Sequence, residues 1–210
     1  MILEGIVTTL TADGRAHIAA MGPEVDSSFE RLVLKPFQTS QTYLNLTRHP
    51  EGVVHITDDV LLLAQAAIGQ IDPIPPTAPT HKTRGFYLCG CCRYLEFRIV
   101  AVDRSQPRAR LEAEVVHQAG LRDFFGLNRG KHAVVEAAIL ATRMHLLPLS
   151  EIASEYDRLE VLVQKTGGPG EHQAFRLLRS HLVHALKERE DTSAADPKGP
   201  ELTVWQGKQE

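Results

Sequence analysis

Apolar and polar positions alternate in short bursts through the first half of the chain and recur at helical spacing through the second. Gly5-Ile6-Val7-Thr8-Thr9-Leu10 and Ala16-His17-Ile18-Ala19-Ala20 are β-prone runs. The Asp13-Gly14 between them readily takes positive φ in a tight hairpin. A third run, Arg31-Leu32-Val33-Leu34-Lys35, stops at Pro36, which has no N–H to give a ladder. Thr39 or Ser40 predicts an N-cap for a short helix through Leu46, ending before Pro50. Gly52-Val53-Val54-His55-Ile56 reads as the fourth strand. Thr57 is placed to cap the next helix, with Asp58 and Asp59 in the first turn, where carboxylates suit the helix dipole. Gly69 closes that helix.

Pro73, Pro75, Pro76 and Pro79 then make a stretch too stiff and poor in donors for regular structure, so a long loop is expected. Two long strands follow, about Gly85–Asp103 and Arg108–His117. In the second, Ala109, Leu111, Ala113 and Val115 fall on one face and Arg108, Arg110, Glu112 and Glu114 on the other, a buried side and a wet one. Strands joined by hairpins and short helices, without a βαβ rhythm, point to a small closed or partly closed barrel. After Gly126 the pattern is helical. Asn128 caps a run to about Leu147 halted by Pro148, Ser150 caps a second to about Lys165, and a third spans about Glu171–Glu190. Residues 1–125 are therefore expected to form the barrel and 126–190 a helical subdomain. The polar stretch Asp191–Glu210 reads as a frayed tail.

Composition narrows the function classes. The 210 residues, 43% hydrophobic and 23% charged, suit one domain with an appendage or two small domains. A net charge of −3 without a clustered basic face gives no footprint for nucleic acid. The longest apolar stretch, Val60–Ile68, is too short to cross a bilayer, and Glu4-Gly5 breaks any signal-peptide pattern. Three cysteines crowded at Cys89, Cys91 and Cys92 speak against a disulfide framework and for the reducing cytoplasm.

One segment carries candidate chemistry. Lys35-Pro36-Phe37-Gln38-Thr39-Ser40-Gln41-Thr42 joins a strand to a helix start, with a cation, hydroxyls and free N–H groups suited to a phosphate monoester. A capped helix beside a surface lysine accounts for the same residues. No glycine-rich Walker or Rossmann fingerprint occurs. The cysteines fall short of a four-ligand zinc site and read as small buried hydrophobes. No histidine set completes a metal site either. His55, beside the Thr57-Asp58-Asp59 turn, faces either a ligand or the core. No serine sits in a nucleophile elbow, and no catalytic acid or base stands out.

The order of the motifs says more than any one of them. Gly5-Ile6-Val7-Thr8-Thr9, Ile18-Ala19-Ala20-Met21-Gly22-Pro23, Lys35-Pro36-Phe37 with Thr39-Ser40-Gln41-Thr42-Tyr43, and Gly52-Val53-Val54-His55-Ile56-Thr57-Asp58-Asp59 closely resemble the family catalogued as domain of unknown function 447. The resemblance continues through Cys91, Cys92-Arg93-Tyr94, Asn128-Arg129-Gly130-Lys131 with Glu136 and Arg143, and Lys165-Thr166-Gly167-Gly168. That family is similar to the FMN-binding split barrels, relatives of flavin reductases and pyridoxamine-phosphate oxidases.

The resemblance implies an α+β fold: a Greek-key split β-barrel, dimeric, with a C-terminal helical subdomain and FMN at the subunit interface. Met21 and Gly22 would lie against the isoalloxazine, and Lys35, Thr39, Ser40 and Thr42 would take the phosphate. The segment His55, Thr57, Asp58 and Asp59 would line the ring's polar edge, and Arg93 would add charge to the phosphate, across the dimer if need be. The function expected is an FMN-dependent oxidoreductase acting on an unidentified small molecule. A non-enzymatic flavin-binding or sensing module, or a flavin-free relative that binds another phosphorylated compound, stays open.

Overall fold

A computed structural model describes residues 1–195 of the chain. In chain order the elements are β1 (Gly5–Leu10), β2 (Ala16–Met21), β3 (Glu24–Val25), β4 (Arg31–Leu34), α1 (Gln41–Arg48), β5 (Glu51–Ile56), α2 (Val60–Ala67), β6 (Thr77–Pro79), β7 (Phe86–Leu88), β8 (Arg93–Asp103), β9 (Arg110–Gly120), α3 (Arg129–Ala141), α4 (Leu149–Thr166) and α5 (Pro169–Ala195). Seven strands form one antiparallel sheet in the order β2-β1-β5-β8-β9-β4-β3.

That order forces the sheet to roll up. β2 and β3 stand at opposite edges, yet only Gly22 and Pro23 separate them. Three Cα steps reach about 11 Å, whereas a flat sheet of this width would hold its edges about 29 Å apart. The sheet therefore curls into a barrel that is split where β2 meets β3 and β4. Its interior packs Val7, Leu32, Leu34, Val54, Leu95, Phe97 and Leu111, with Tyr43 and Leu46 of α1 covering the end nearest Thr9.

The outer face carries buried polar groups, and each has a use. Thr8 Oγ1 donates to the Phe86 carbonyl (2.6 Å), and the Leu88 N–H donates to His55 Nε2 (3.1 Å). The wholly buried Glu96 carboxylate accepts the N–H groups of His81 (2.8 Å), Lys82 (2.7 Å) and Thr83 (2.9 Å). These three side chains clip the β6–β7 hairpin and its loop over β1, β5 and β8. The proline-rich stretch thus holds a short strand, β6, where a loop was expected. The strand expected at 85–103 is broken by a turn at Cys89–Cys92, which lets β7 fold back over the barrel.

A second core joins α2 to α3, α4 and α5 through Leu63, Ala64, Val134, Ala138, Ile152, Tyr156, Phe175 and Leu178. α2 lies within the first 125 residues, yet its inner face belongs to this helical core. Asn128 caps α3 as expected, its Oδ1 accepting from the Lys131 N–H (3.0 Å). α3 stops at Ala141 rather than Leu147, because the chain beyond it tightens into three-residue turns, the Arg143 N–H on the Leu140 carbonyl (3.0 Å) and the Leu146 N–H on the Arg143 carbonyl (2.8 Å). Pro148, with φ preset at −59°, opens α4 in place of Ser150. α5 continues through Ala195, so the first five residues of the expected frayed tail are helical, and 196–210 lie outside the described residues.

Candidate functional site

The split in the barrel gathers one group of the expected binding residues. Met21 ends β2, half-buried against the barrel core. Gly22 carries the chain across the split. A Cβ there would lie 2.8 Å from Ile2 Cγ2 and 3.0 Å from both Glu4 carboxylate oxygens, so any other residue would push those side chains aside. On the facing lip Lys35 leaves β4, its Nζ in an ion pair with Glu24 at the start of β3. The next residues are stitched to the β8–β9 hairpin. Ala109 N–H donates to the Pro36 carbonyl (3.0 Å), Gln38 N–H donates to the Pro107 carbonyl (3.1 Å), and the Arg108 guanidinium lies 4.3 Å from the Phe37 ring centre.

Thr39 and Ser40 then enter α1. Ser40 is its N-cap, the hydroxyl accepting from the Tyr43 N–H (3.3 Å). Thr42 is buried in the first turn. Among the described residues, no acceptor engages the backbone N–H groups of Gln41 and Thr42. Two open donors at a helix start attract an anion. Lys35 itself is turned toward Glu24, so the structure brings the lysine and the helix start to one lip without joining them.

The second group, His55 and Arg93 included, sits at the Met21 end of the strands, away from α1. Gly5 of β1 pairs with Met21, whereas Thr9, four residues on, receives the Asn45 Nδ2 of α1 (3.0 Å). Those four steps cover about 13 Å. Arg93 pairs with Ile56 at the Met21 end. Its guanidinium stacks 5.1 Å from the ring centre of Phe29, a residue held at φ 58°, and hydrogen-bonds Gln118. Within one protomer Arg93 and the α1 start therefore stand at opposite ends, and they do not share one phosphate.

His55, Thr57, Asp58 and Asp59 are largely committed to the fold. His55 is wholly buried; its Nδ1 donates to the Ile6 carbonyl (3.1 Å) and its Nε2 accepts from Leu88, so neither nitrogen is left for a ligand. Burial pushes its pKa down to about 4. Asp59, not Thr57, caps α2, accepting the Leu62 N–H (3.0 Å). Thr57 Oγ1 accepts the Asp59 N–H (3.1 Å). Neither aspartate lies in the first turn: Asp58 precedes the cap and turns toward Arg122.

That contact opens a network which sequence reasoning missed. The Asp58 carboxylate accepts Arg122 Nη1 (3.1 Å) and Nη2 (2.5 Å) and the Phe125 N–H (2.7 Å). The Arg122 guanidinium holds the Asp58 carboxyl at about 2, well below the usual range. Lys131 Nζ donates to the Asp58 carbonyl (2.8 Å) and to Glu171 Oε1 (2.8 Å), while Glu171 Oε2 accepts the Gly168 N–H (2.7 Å). A Cβ on Gly130 would meet Gly167 Cα at 2.9 Å, and Asn128 Nδ2 donates to the Thr166 carbonyl (2.9 Å). Asn128-Arg129-Gly130-Lys131 and Lys165-Thr166-Gly167-Gly168 are thus one joint that ties the helices together and to the barrel. No sequence signal singles out Arg122. Glu96, a lone acid in the apolar run Tyr94-Leu95-Glu96-Phe97, was detectable as a charge with a buried duty. Cys91 and Cys92 are buried and Cys89 is exposed; burial pushes the Cys91 thiol up to about 12, far from a thiolate nucleophile.

The fold is thus α+β, a split β-barrel with a helical layer built mainly from its C-terminal half. Family models described as "Protein of unknown function (DUF447) N-terminal domain" and "Protein of unknown function (DUF447)" match residues 3–121 and 128–180. The chain belongs to the DUF447 family. Among solved structures it is similar to an FMN-bound protein of Methanosarcina mazei that carries the same family assignment. The two share 21% identity over 86% of this chain and 94% of that one, with a TM-score of 0.72. The flavin reductase of styrene monooxygenase from Pseudomonas putida S12 matches at 14% identity over 58% of this chain and 82% of its own, TM-score 0.49. Flavoredoxin of Desulfovibrio vulgaris (Miyazaki F) matches at 14% over 58% and 76%, TM-score 0.49. Among the described residues no helix is long and apolar enough to cross a membrane.

Proposed function

We propose that this chain is an FMN-binding flavoprotein, a cytoplasmic homodimer that works as a flavin-dependent oxidoreductase on a small molecule. The observation that carries the reading is the split itself. One lip carries Met21 and Gly22, and the other carries Lys35, Thr39 and Ser40, with Thr42 buried behind them and two open N–H donors at the helix start. A planar ring on the first lip and a phosphate on the second matches the donor chemistry of each. The M. mazei relative, FMN-bound on the same fold, supports the choice of cofactor. Bound FMN supplies hydride or electron transfer, and the protein's part is to bind and orient it.

In this reading residues 1–125 hold the cofactor, while 126–190 form the helical unit. Thr57, Asp58 and Asp59 shape the turn beside the ring, and His55 sets the strand behind it. Arg93 reaches a phosphate only from the partner subunit, since it stands at the far end of its own barrel. Light scattering should return twice the chain mass; a monomer with full flavin occupancy contradicts the interface site. Mass spectrometry of ligand released by heat should find FMN, and finding only FAD, or no flavin after its addition, ends the proposal. The joint at Asp58 favours a second reading, a flavin sensor, because it links the turn beside the site to three helices through Lys131 and Glu171. Oxidation of a reduced nicotinamide by the loaded protein, followed by stopped flow, separates the two.

The phosphate lip has its own test. Lys35→Ala should weaken FMN by roughly ten- to a hundredfold, the range for losing one charge-assisted contact. Thr42→Val removes a hydroxyl at constant shape and should cost less. Riboflavin, which lacks the phosphate, should bind the unaltered protein poorly and lose little further in either variant. Calorimetric titrations in which both ligands fall in parallel would reduce the segment to a helix cap.

A further inference from the structure

Lys35 does not stand alone on its lip. β3 pairs Glu24 with Val33, and β4 pairs Val33 with Glu112 and Leu34 with Leu111. Continuing that register puts Lys35 opposite Arg110, with both side chains on the face that carries Glu24 and Glu112. The contacts follow the register. Glu24 takes Lys35 Nζ in a hydrogen-bonded ion pair and meets Arg110 Nη1 at 3.8 Å, while Arg110 Nε donates to Glu112 at 3.2 Å.

The two cations therefore face Glu24, Glu112 and, across the β8–β9 pairing, Asp103 on an open strip, and the side chains of Lys35, Arg110 and Glu24 are 45%, 42% and 39% exposed. A dianion arriving here meets cations already matched by carboxylates unless one carboxylate gives way. Glu24 is the one placed to do so, because it alone touches both cations. Ion pairs this exposed hold weakly, whereas a phosphate ester offers three acceptor oxygens and more charge than a carboxylate.

We propose that Glu24 is a built-in competitor for the cofactor's phosphate: it occupies Lys35 and Arg110 until a dianionic phosphate ester displaces it, and the two cations then select phosphorylated over unphosphorylated flavin. This rests on the flavin reading above and adds Arg110 to the site. Glu24 sets how tightly the phosphate is held and, because salt screens its own pairs too, blunts the dependence of that hold on ionic strength.

The test is calorimetric titration of flavin-free protein with FMN and with riboflavin, for the unaltered chain, Glu24→Gln and Arg110→Gln. Glu24→Gln should tighten FMN roughly three- to tenfold, the scale of weak exposed pairs removed, and leave riboflavin within about twofold. Its FMN affinity should also fall more steeply with added salt. Arg110→Gln should loosen FMN roughly threefold or more while sparing riboflavin. Inorganic phosphate alone should bind flavin-free Glu24→Gln more tightly than the flavin-free unaltered chain. Equal affinity of the unaltered protein for FMN and riboflavin would remove the phosphate site itself. A clear preference for FMN that Glu24→Gln leaves alone or weakens overturns only the part given to Glu24. Arg110→Gln decides the second cation independently, since its own loss of FMN selectivity, or the lack of one, does not depend on the glutamate variant.

Discussion

Replacing Arg122 with methionine should destabilise the protein by about 3–5 kcal/mol, more than replacing its partner Asp58 with alanine. The asymmetry comes from burial. The Asp58 side chain is 8% exposed and that of Arg122 is 41% exposed. Without Arg122 the carboxylate stays in its pocket with the Phe125 N–H, Cys92 and the nearby charge of Lys131, which together replace only part of the two-pronged guanidinium contact. Without Asp58 the half-exposed guanidinium keeps the Gly90 and Asp123 carbonyls and gains water, and the loss is mainly the unpaired Phe125 N–H and the missing contacts, about 1.5–3 kcal/mol. Denaturant midpoints for the two single variants and the double variant measure this directly. The double variant should lie closer to Asp58→Ala than to the sum, because the worst consequence of losing Arg122 needs Asp58 to be present. The Asp58 carboxyl, held at about 2 by Arg122, should also rise in Arg122→Met. Equal costs for the two single variants, adding without coupling, would mean that the pair does not hold the barrel to the helices.

That joint also shows where sequence reading stops. The strands were legible because side chains alternate with period two. The hairpin at Asp13-Gly14 and the caps at Ser40 and Asn128 were legible because a single residue type satisfies a local backbone need. Asp58-Asp59 looked like the same kind of local signal, and for Asp59 it is one. Asp58 instead answers to an arginine 64 residues away, and no local rule names such a partner. Arg110 was read correctly as part of a wet face, but its nearness to Lys35 depends on the β4–β9 register, which only the closed sheet sets. Glu96 and His55 are polar residues in apolar strands, visible as exceptions. What they serve, the β6–β7 hairpin folded over the barrel, lay in a proline-rich stretch where alternation gives no signal. The ordered motifs still carried the family and its fold, because they mark positions of close approach, side chains over Gly22 and backbone against backbone at Gly130. Such constraints leave a trace in residue type even when their partners are distant.

His55 makes the protein's stability depend on pH in a window where few other groups act. Burial pushes its pKa from about 6.5 down to about 4, so between those values the unfolded chain binds a proton that the folded chain refuses. The stability it contributes is complete above its ordinary pKa and is lost as the pH falls toward the folded one, up to about 3 kcal/mol over the window. The geometry explains the refusal: Nε2 must stay unprotonated to accept the Leu88 N–H, and no carboxylate touches the ring to repay a charge. His17, half-buried in β2, is lowered by burial too and adds in the same direction. Glu4, raised by burial, works the other way. Asp58 enters only below its ordinary value of 3.8, under this window. Urea unfolding at about pH 7.5 and about pH 4.5 should therefore show a loss of about 2–3 kcal/mol attributable to His55. His55→Leu should be less stable than the unaltered protein at the higher pH, since the Leu88 N–H and the Ile6 carbonyl lose their partner. It should also lose about 2–3 kcal/mol less on acidification, so that the two stability curves converge as the pH drops. Parallel curves would show that the imidazole is protonated in the folded state, and the β6–β7 hairpin would then have to be held without it.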